Sequence, residues 1–436
     1  MSFRYPDSSV FYRRLDRSFP AAESASGIAI FDQTGKRYLD ASGGAAVANV
    51  GHGVREIADS LAEAAMLGYI NGTQFTHRFV EELAAELAGV LPGDLGHGFF
   101  LASGSEAVEA AVKLARQFWV ESGRPDKWKV ISRVPSYHGS TLAALSLSGR
   151  EHYRSTFGPM LTEFPRIPAP DPYRDPDSAA STGEALEEEI LRHDPRTVAA
   201  FIAEPIIGAS AGAVVPSTDY YARVREICSR HEVLFIADEI LCGMGRTGRW
   251  IACEHYGVMP EILVLGKGLN GGVVPLSAVV ARPSIVEVLA EGSGYFNHAQ
   301  TYSHAPVICA AGLATLRYMK KERLVERSAA MAEPFFARLE KLREFPVVGD
   351  VRGKGLLAGV EFVADRSSKS PKPRGERFTE RFTEKAFDNG LIVWPNVGHV
   401  DGTHGDLVTL APPFSVTVEE IDEIVSCFAA TLEGLT

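Results

Sequence analysis

Between residues 98 and 268 the chain repeats one alternation, and that alternation restricts the folds open to it. Short apolar runs occur as FFLA near Phe99, KVIS near Lys129, AAFIAE near Ala199, VLFIAD near Val233 and ILVLG near Ile262. Amphipathic stretches such as AVEAAVKLARQFW and YYARVREICSRH lie between several of them. The runs have strand length and the stretches have helical periodicity. Apolar strands alternating with helices imply βα units and a mostly parallel sheet covered on both faces. The chain has 436 residues, and at about 100–200 residues per domain two or three domains are expected. In the last third, helical patterns at 307–320, 326–343 and 418–435 accompany strand-like pieces at 351–362, 391–394 and 407–410. These read as a smaller α/β domain. Residues 168–182 and 367–375, rich in Pro and Ser, read as exposed loops.

Open α/β sheets bind ligands beyond the carboxyl ends of their strands, so the residues that follow each run matter most. After FFLA, Ser103-Gly104-Ser105 opens a helix with Glu106 and Glu109 in its first turns. Unpaired N–H groups, a glycine and a hydroxyl there make a phosphate cup, although a plain Ser N-cap is the commoner explanation. After KVIS come Tyr137 and His138. An aromatic at that place can stack on a heteroaromatic ring, although a packed tyrosine is more common. Asp238 ends VLFIAD. A buried carboxylate needs a partner, which a protonated pyridine nitrogen supplies as well as a helix cap does. Lys267 ends ILVLG and precedes Gly268-Leu269-Asn270-Gly271-Gly272. Desolvation there makes an amine nucleophilic, whereas a surface lysine is the plainer alternative. Taken together, the four supply an anion cup, a stacking ring, a carboxylate for a ring nitrogen and an amine for an aldehyde. Those are the attachments of pyridoxal 5'-phosphate (PLP).

At these residues the chain resembles the class III, or ω-amino acid type, PLP-dependent aminotransferases of fold type I. The resemblance runs almost end to end, through residues 27–53, SGSEAVEAAVKLAR, SYHGSTLAALSLSG, IAEPIIGASAGAVVP, ADEILCGMGRTGRW, LGKGLNGG, TYSHAPVICAAGLA, VRGKGLLAGVEF and LAPPFSVTVEEIDEIV. It implies a large PLP-binding domain at 55–315 with a mostly parallel seven-stranded sheet flanked by helices. It also implies a small α/β domain built from 1–54 and 316–436. By the same resemblance Lys267 is the Schiff-base lysine and proton shuttle, and Asp238 pairs with the pyridine nitrogen. Ile240 and Tyr137 pack on the two ring faces, and Gly104 and Ser105 form the phosphate cup. His138 and Glu204 lie by the cofactor, and Thr301 reaches the phosphate of a neighbouring subunit's cofactor. Ser42, Gly43, Gly44, Tyr69 and Phe75 fall on substrate-pocket loops. The family implies an obligate homodimer with shared sites, and leaves pairing into tetramers open.

This sequence departs from the family pattern at three places. Leu241 stands where many members have Gln, as in the pyruvate-using ω-transaminase branch. NHAQTYSHAP around Thr301 lacks the usual His-Gly pair. No arginine lies between Leu391 and Pro413, where His399, His404 and Asp406 occur instead. The reaction implied is ping-pong transamination from an ω- or β-amino acid or an amine to pyruvate or 2-oxoglutarate. An aminomutase, a decarboxylase or a phospholyase on the same fold is the alternative, and a non-enzymatic binding protein is a more distant one.

Composition sets outer bounds. A net charge of −11 argues against nucleic-acid or anionic-membrane partners. No apolar run nears the roughly 20 residues that span a bilayer, and no signal peptide is evident. Five scattered cysteines without a CxxC pair, and dispersed histidines, imply reduced thiols, no metal site and a cytoplasmic location. The acidic run EALEEE at 184–189 reads as a solvated helix face, and Arg246 as a structural loop arginine or an anion ligand.

Overall fold

The computed structural model describes residues 2–435. Its central sheet has seven strands, in the spatial order His97–Leu101, Ser277–Ala281, Ile262–Leu265, Leu234–Asp238, Val198–Ala203, Lys129–Val134 and Arg166–Pro168. All run parallel except Ser277–Ala281, which is antiparallel to both neighbours. The mostly parallel sheet read from the alternation is therefore present. Side chains alternate between its faces. Ala200, Ile202, Leu234, Ile236, Ile262 and Val264 enter one buried core, and Phe201, Ala203, Phe235, Ala237, Leu263 and Leu265 enter the other. Both faces are dry, which is why these strands are apolar throughout rather than at alternate positions.

Helices Gly104–Glu121 and Tyr220–Arg230 replace the two amphipathic stretches. Two strands escaped the sequence pattern. Arg166–Pro168 has only three residues. Ser277–Ala281 reverses direction because the connection over 266–276 holds only the short turn Lys267–Asn270, not the helix that a parallel crossover needs.

Three further readings are refined. Residues 351–362 are not one strand but the hairpin Val348–Lys354 and Leu357–Asp365, turning at Gly355 with φ +63°. Residues 391–394 divide between two sheets. Leu391–Ile392 pairs in parallel with Arg37–Asp40, whereas Trp394–Val397 pairs with Asp406–Leu410. The supposed loops hold structure too, since Ser178 already begins the helix Ser178–Arg192, and Ser370–Pro371 pairs with Leu357–Asp365. A third core joins Ile28, Leu39 and Val50 from the N-terminal segment to Phe362, Phe382, Val408 and Phe428 from the C-terminal one. Helix Val418–Glu433 closes it, started by a capping box between Thr417 and Glu420. No helix among the described residues is long and apolar enough to cross a membrane.

The C-terminal hairpin seats on the loop that follows Val198–Ala203. Arg352 donates from Nε to the Gly212 carbonyl at 2.9 Å and from Nη2 to the Ala211 carbonyl at 2.7 Å. At Gly359 an added Cβ would lie 2.2 Å from the Gly212 carbonyl oxygen. Gly359→Ala is therefore expected to cost about 1–3 kcal/mol through overpacking, read as a lower urea midpoint. Gly375→Ala, where a Cβ meets nothing within 4 Å, is expected to leave the midpoint in place.

Candidate active site

Parallel register gathers the chemistry at one edge. Asp238 pairs with Val264, so Lys267 emerges just beyond it on the neighbouring strand. Glu204 follows the strand on the other side of Asp238, and Tyr137 and His138 follow the next strand out. Gly104 and Ser105 come from the far edge, carried by the helix Gly104–Glu121 that packs across the sheet. These residues and Ile240 line one cavity of about 200 Å³, together with Gly139, Ala209 and Leu241.

Lys267 occupies the left-handed region at φ +44°, a conformation that costs a non-glycine residue free energy and recurs at functional sites. Its Nζ lies 5.0 Å from the Trp394 ring centroid and hydrogen-bonds to none of the described residues. Burial pushes its pKa down to about 8, against the opposing pull of Asp238 and Glu204. Asp238 is 2% exposed. One oxygen accepts from His138 Nδ1 at 2.7 Å and the other from the Ile240 N–H at 3.1 Å. The carboxylate is thus held in a fixed orientation. Glu204 accepts the Tyr137 N–H at 2.9 Å and the Gly208 N–H at 2.8 Å, and burial raises its pKa.

The Ser-Gly-Ser turn holds an N-cap and, beside it, the free end of the helix. Ser103 is the N-cap, accepting the Glu106 N–H at 3.3 Å. The Gly104 and Ser105 N–H groups have no partner among the described residues, as expected of a helix's first turn. Ser105 Oγ faces the cavity and accepts the Ser140 N–H at 3.0 Å. The cradle admits no further side chain. A Cβ on Gly104 would sit 3.0 Å from Ile240 Cδ1, and one on Gly139 would sit 2.6 Å from Ser105 Oγ.

A second cavity of about 510 Å³ adjoins the first, sharing Tyr137, Gly139 and Ala209. Arg150, Tyr153, Phe157 and Trp394 wall it, with Arg13 at its edge. Nothing in the sequence singled these out, because Arg13 and Trp394 meet the 150–157 segment from remote parts of the chain.

Other residues named from the sequence lie outside both cavities. Thr301, Tyr69 and Phe75 are exposed, and Tyr69 meets Tyr302 edge-on at 6.1 Å. Ser42 and Gly43 are buried in the turn after Arg37–Asp40, where Asp40 accepts the Ser42 hydroxyl at 3.1 Å and the Gly44 N–H at 2.9 Å. Arg246 is structural: it donates to the Leu356 and Pro412 carbonyls and to Asn49. His399 lies 3.0 Å from Glu361, His404 binds Asp401, and Asp406 accepts the Thr379 N–H. The acidic run is not wholly solvated, since Glu189 is buried against Arg192 and His193. Among the described residues no group of three or more His, Cys, Asp or Glu could hold a metal ion.

The sequence matches the family described as Aminotransferase class-III over residues 11–432. The chain belongs to the class III aminotransferases, a PLP-dependent family of fold type I. It is 42% identical to the uncharacterised aminotransferase YodT of Bacillus subtilis, covering 97% of this chain and 96% of that protein. It is 36% identical to putrescine–pyruvate aminotransferase of Pseudomonas aeruginosa, covering 92% and 88%. Among solved structures, an (S)-enantioselective ω-transaminase from Thermomicrobium roseum superposes with a TM-score of 0.90 at 35% identity, covering 98% of this chain and 95% of that one. The ω-transaminase of Pseudomonas jessenii in complex with PMP gives 0.91 at 32%, covering 98% and 96%.

The depressed pKa of Lys267 can be checked directly. In protein stripped of small ligands, acetylation of Lys267 by acetic anhydride, followed by peptide mass spectrometry, is expected to turn on with a midpoint near pH 8. The protonated amine prevails below that pH and the nucleophilic free base above it. A midpoint near 10.5 would mark an ordinary lysine.

Proposed function

We propose that the protein transfers an amino group from an ω- or β-amino acid or an amine to a keto acid such as pyruvate, in ping-pong fashion, with PLP held by Lys267. One observation carries the reading: an unpaired half-buried amine, an oriented buried carboxylate and a helix end with free N–H groups line a single cavity. PLP has an aldehyde, a basic ring nitrogen and a phosphate, and the cavity offers a partner for each. Lys267 would hold the aldehyde, Asp238 the ring nitrogen and the Gly104–Ser105 turn the phosphate, with Tyr137 and Ile240 against the ring. When bound, the cofactor supplies the electron-withdrawing ring that makes the proton on the amine-bearing carbon removable.

The remaining work falls to the chain. With a pKa near 8, Lys267 is populated as a free base at mildly alkaline pH, so its Nζ takes the substrate proton and returns it. His138 and the Ile240 N–H keep Asp238 from rotating away from the positive charge it stabilises. Glu204, whose pKa burial raises, anchors the Tyr137 backbone by accepting its N–H. Ile240 and Leu241 exclude water from this floor. Pyruvate as acceptor is supported by two relatives from Pseudomonas aeruginosa, putrescine–pyruvate and β-alanine–pyruvate aminotransferase.

The proposal includes a cytoplasmic homodimer. Its support is an exposed apolar set, Met66, Leu67, Tyr69, Phe75 and Tyr302, adjoining Thr301, together with five free cysteines.

The test is borohydride reduction of the PLP-loaded protein followed by peptide mapping, with an assay over a panel of amines. A PLP adduct on Lys267, and pyruvate consumed in step with amine lost, are expected. Lys267→Ala is expected to lose the adduct and to slow turnover by at least about 100- to 10,000-fold. Release of ammonia, carbon dioxide or phosphate without loss of keto acid would contradict transamination.

A further inference from the structure

Arg150 stands in the wall of the larger cavity, 8% exposed, and no Asp or Glu among the described residues pairs with it. Other buried arginines also lack a carboxylate partner among the described residues, and the Nε of Arg133 and of Arg246 is unpartnered too, but their terminal nitrogens make two or more hydrogen bonds to the fold. Arg154 donates to the Leu145, Ser146 and Ser148 carbonyls. Arg246 is held by two carbonyls and Asn49, and Arg133 by the Glu204 carbonyl and Tyr221. Arg150 has one hydrogen bond, from Nη2 to Asn396 Oδ1. Its Nε is buried without a partner, and its Nη1 bonds to none of the described residues. Burial holds its pKa below the usual arginine range. A buried guanidinium without an anion is costly, and its planar fork matches a carboxylate.

The surroundings aim that capacity at the active site. The guanidinium carbon lies 4.5 Å from the Tyr153 ring centroid and 5.9 Å from that of Tyr137, which also lines the Lys267 cavity. Asn396 belongs to the same strand as Trp394, whose ring lies 5.0 Å from Lys267 Nζ. Arg13, exposed at the rim, donates to the Tyr153 hydroxyl at 2.8 Å and adds a second positive charge.

We propose that Arg150, with Arg13 at the rim, binds the carboxylate of the acid substrates, so that the larger cavity selects carboxylate-bearing molecules. The inference rests on the aminotransferase reading of the adjoining cavity.

The test compares native holoenzyme with Arg150→Gln on pyruvate, on β-alanine and on benzylamine, which has no carboxylate. The kcat/KM ratio of pyruvate to benzylamine, of β-alanine to benzylamine, or both, is expected to fall on the order of 10- to 100-fold. The first ratio reports the acceptor's carboxylate and the second the donor's. Neither ratio falling, or benzylamine losing as much as the acids, would overturn the proposal. If Arg150→Gln does not fold, calorimetry with propionate on native and Arg13→Ala holoenzyme decides. Propionate binding that competes with pyruvate and weakens several-fold in Arg13→Ala supports the site, whereas no binding, or binding indifferent to Arg13, overturns it. If the native protein turns over no amine at all, the aminotransferase reading fails, and propionate binding to native against Arg150→Gln protein still reports on Arg150.

Discussion

A lysine amine that loses much of its hydration favours its uncharged form, because less solvent is left to stabilise the ammonium. At Lys267 this effect outweighs the attraction of Asp238 and Glu204, and the pKa settles near 8 rather than 10.5. The rest of the site is arranged around that balance. A full ion pair between Lys267 and Asp238 would raise the lysine pKa and fix the side chain. Instead His138 and a backbone N–H engage the Asp238 oxygens, and Lys267 is left without a hydrogen bond. Burial raises the pKa of Glu204 as well.

That balance depends on the sheet. Parallel strands end on the same side, so residues just past them meet without any sequence proximity. Lys267, Asp238, Glu204 and Tyr137 come from four consecutive neighbours in the sheet. The reversed strand Ser277–Ala281 brings the edge strand His97–Leu101 into place, and the Ser277 hydroxyl bonds the Ser103 carbonyl at 2.7 Å. The Ser103–Ser105 turn is thereby tied to the sheet. Residues from the C-terminal strands close the other side, with Trp394 near Lys267 and Asn396 holding Arg150.

The floor of the site was readable from sequence because each group follows an apolar run directly. A run marks a strand, and the strand's end marks the place. The walls were not readable by that logic. Arg150 follows a short helix, Leu142–Leu147, and Trp394 sits in a strand pair whose split between two sheets leaves no local signature. Ser277–Ala281 was missed because its antiparallel direction depends on the length of a connection, which hydrophobic pattern does not encode. The hairpin at 348–365 was merged into one strand because only Gly355 and Leu356 separate its two strands. Burial separated the two readings of Arg246: its terminal nitrogens are engaged by the Leu356 and Pro412 carbonyls and by Asn49.

The central claim is that Lys267, Asp238 and the Gly104–Ser105 turn grip one PLP molecule, and a crystal structure of the protein grown with PLP tests it most directly. The account predicts continuous density from Lys267 Nζ to the cofactor, its ring nitrogen against Asp238 and its phosphate at Ser105. Density for the cofactor elsewhere, or a free Lys267 beside a differently oriented ring, would contradict it.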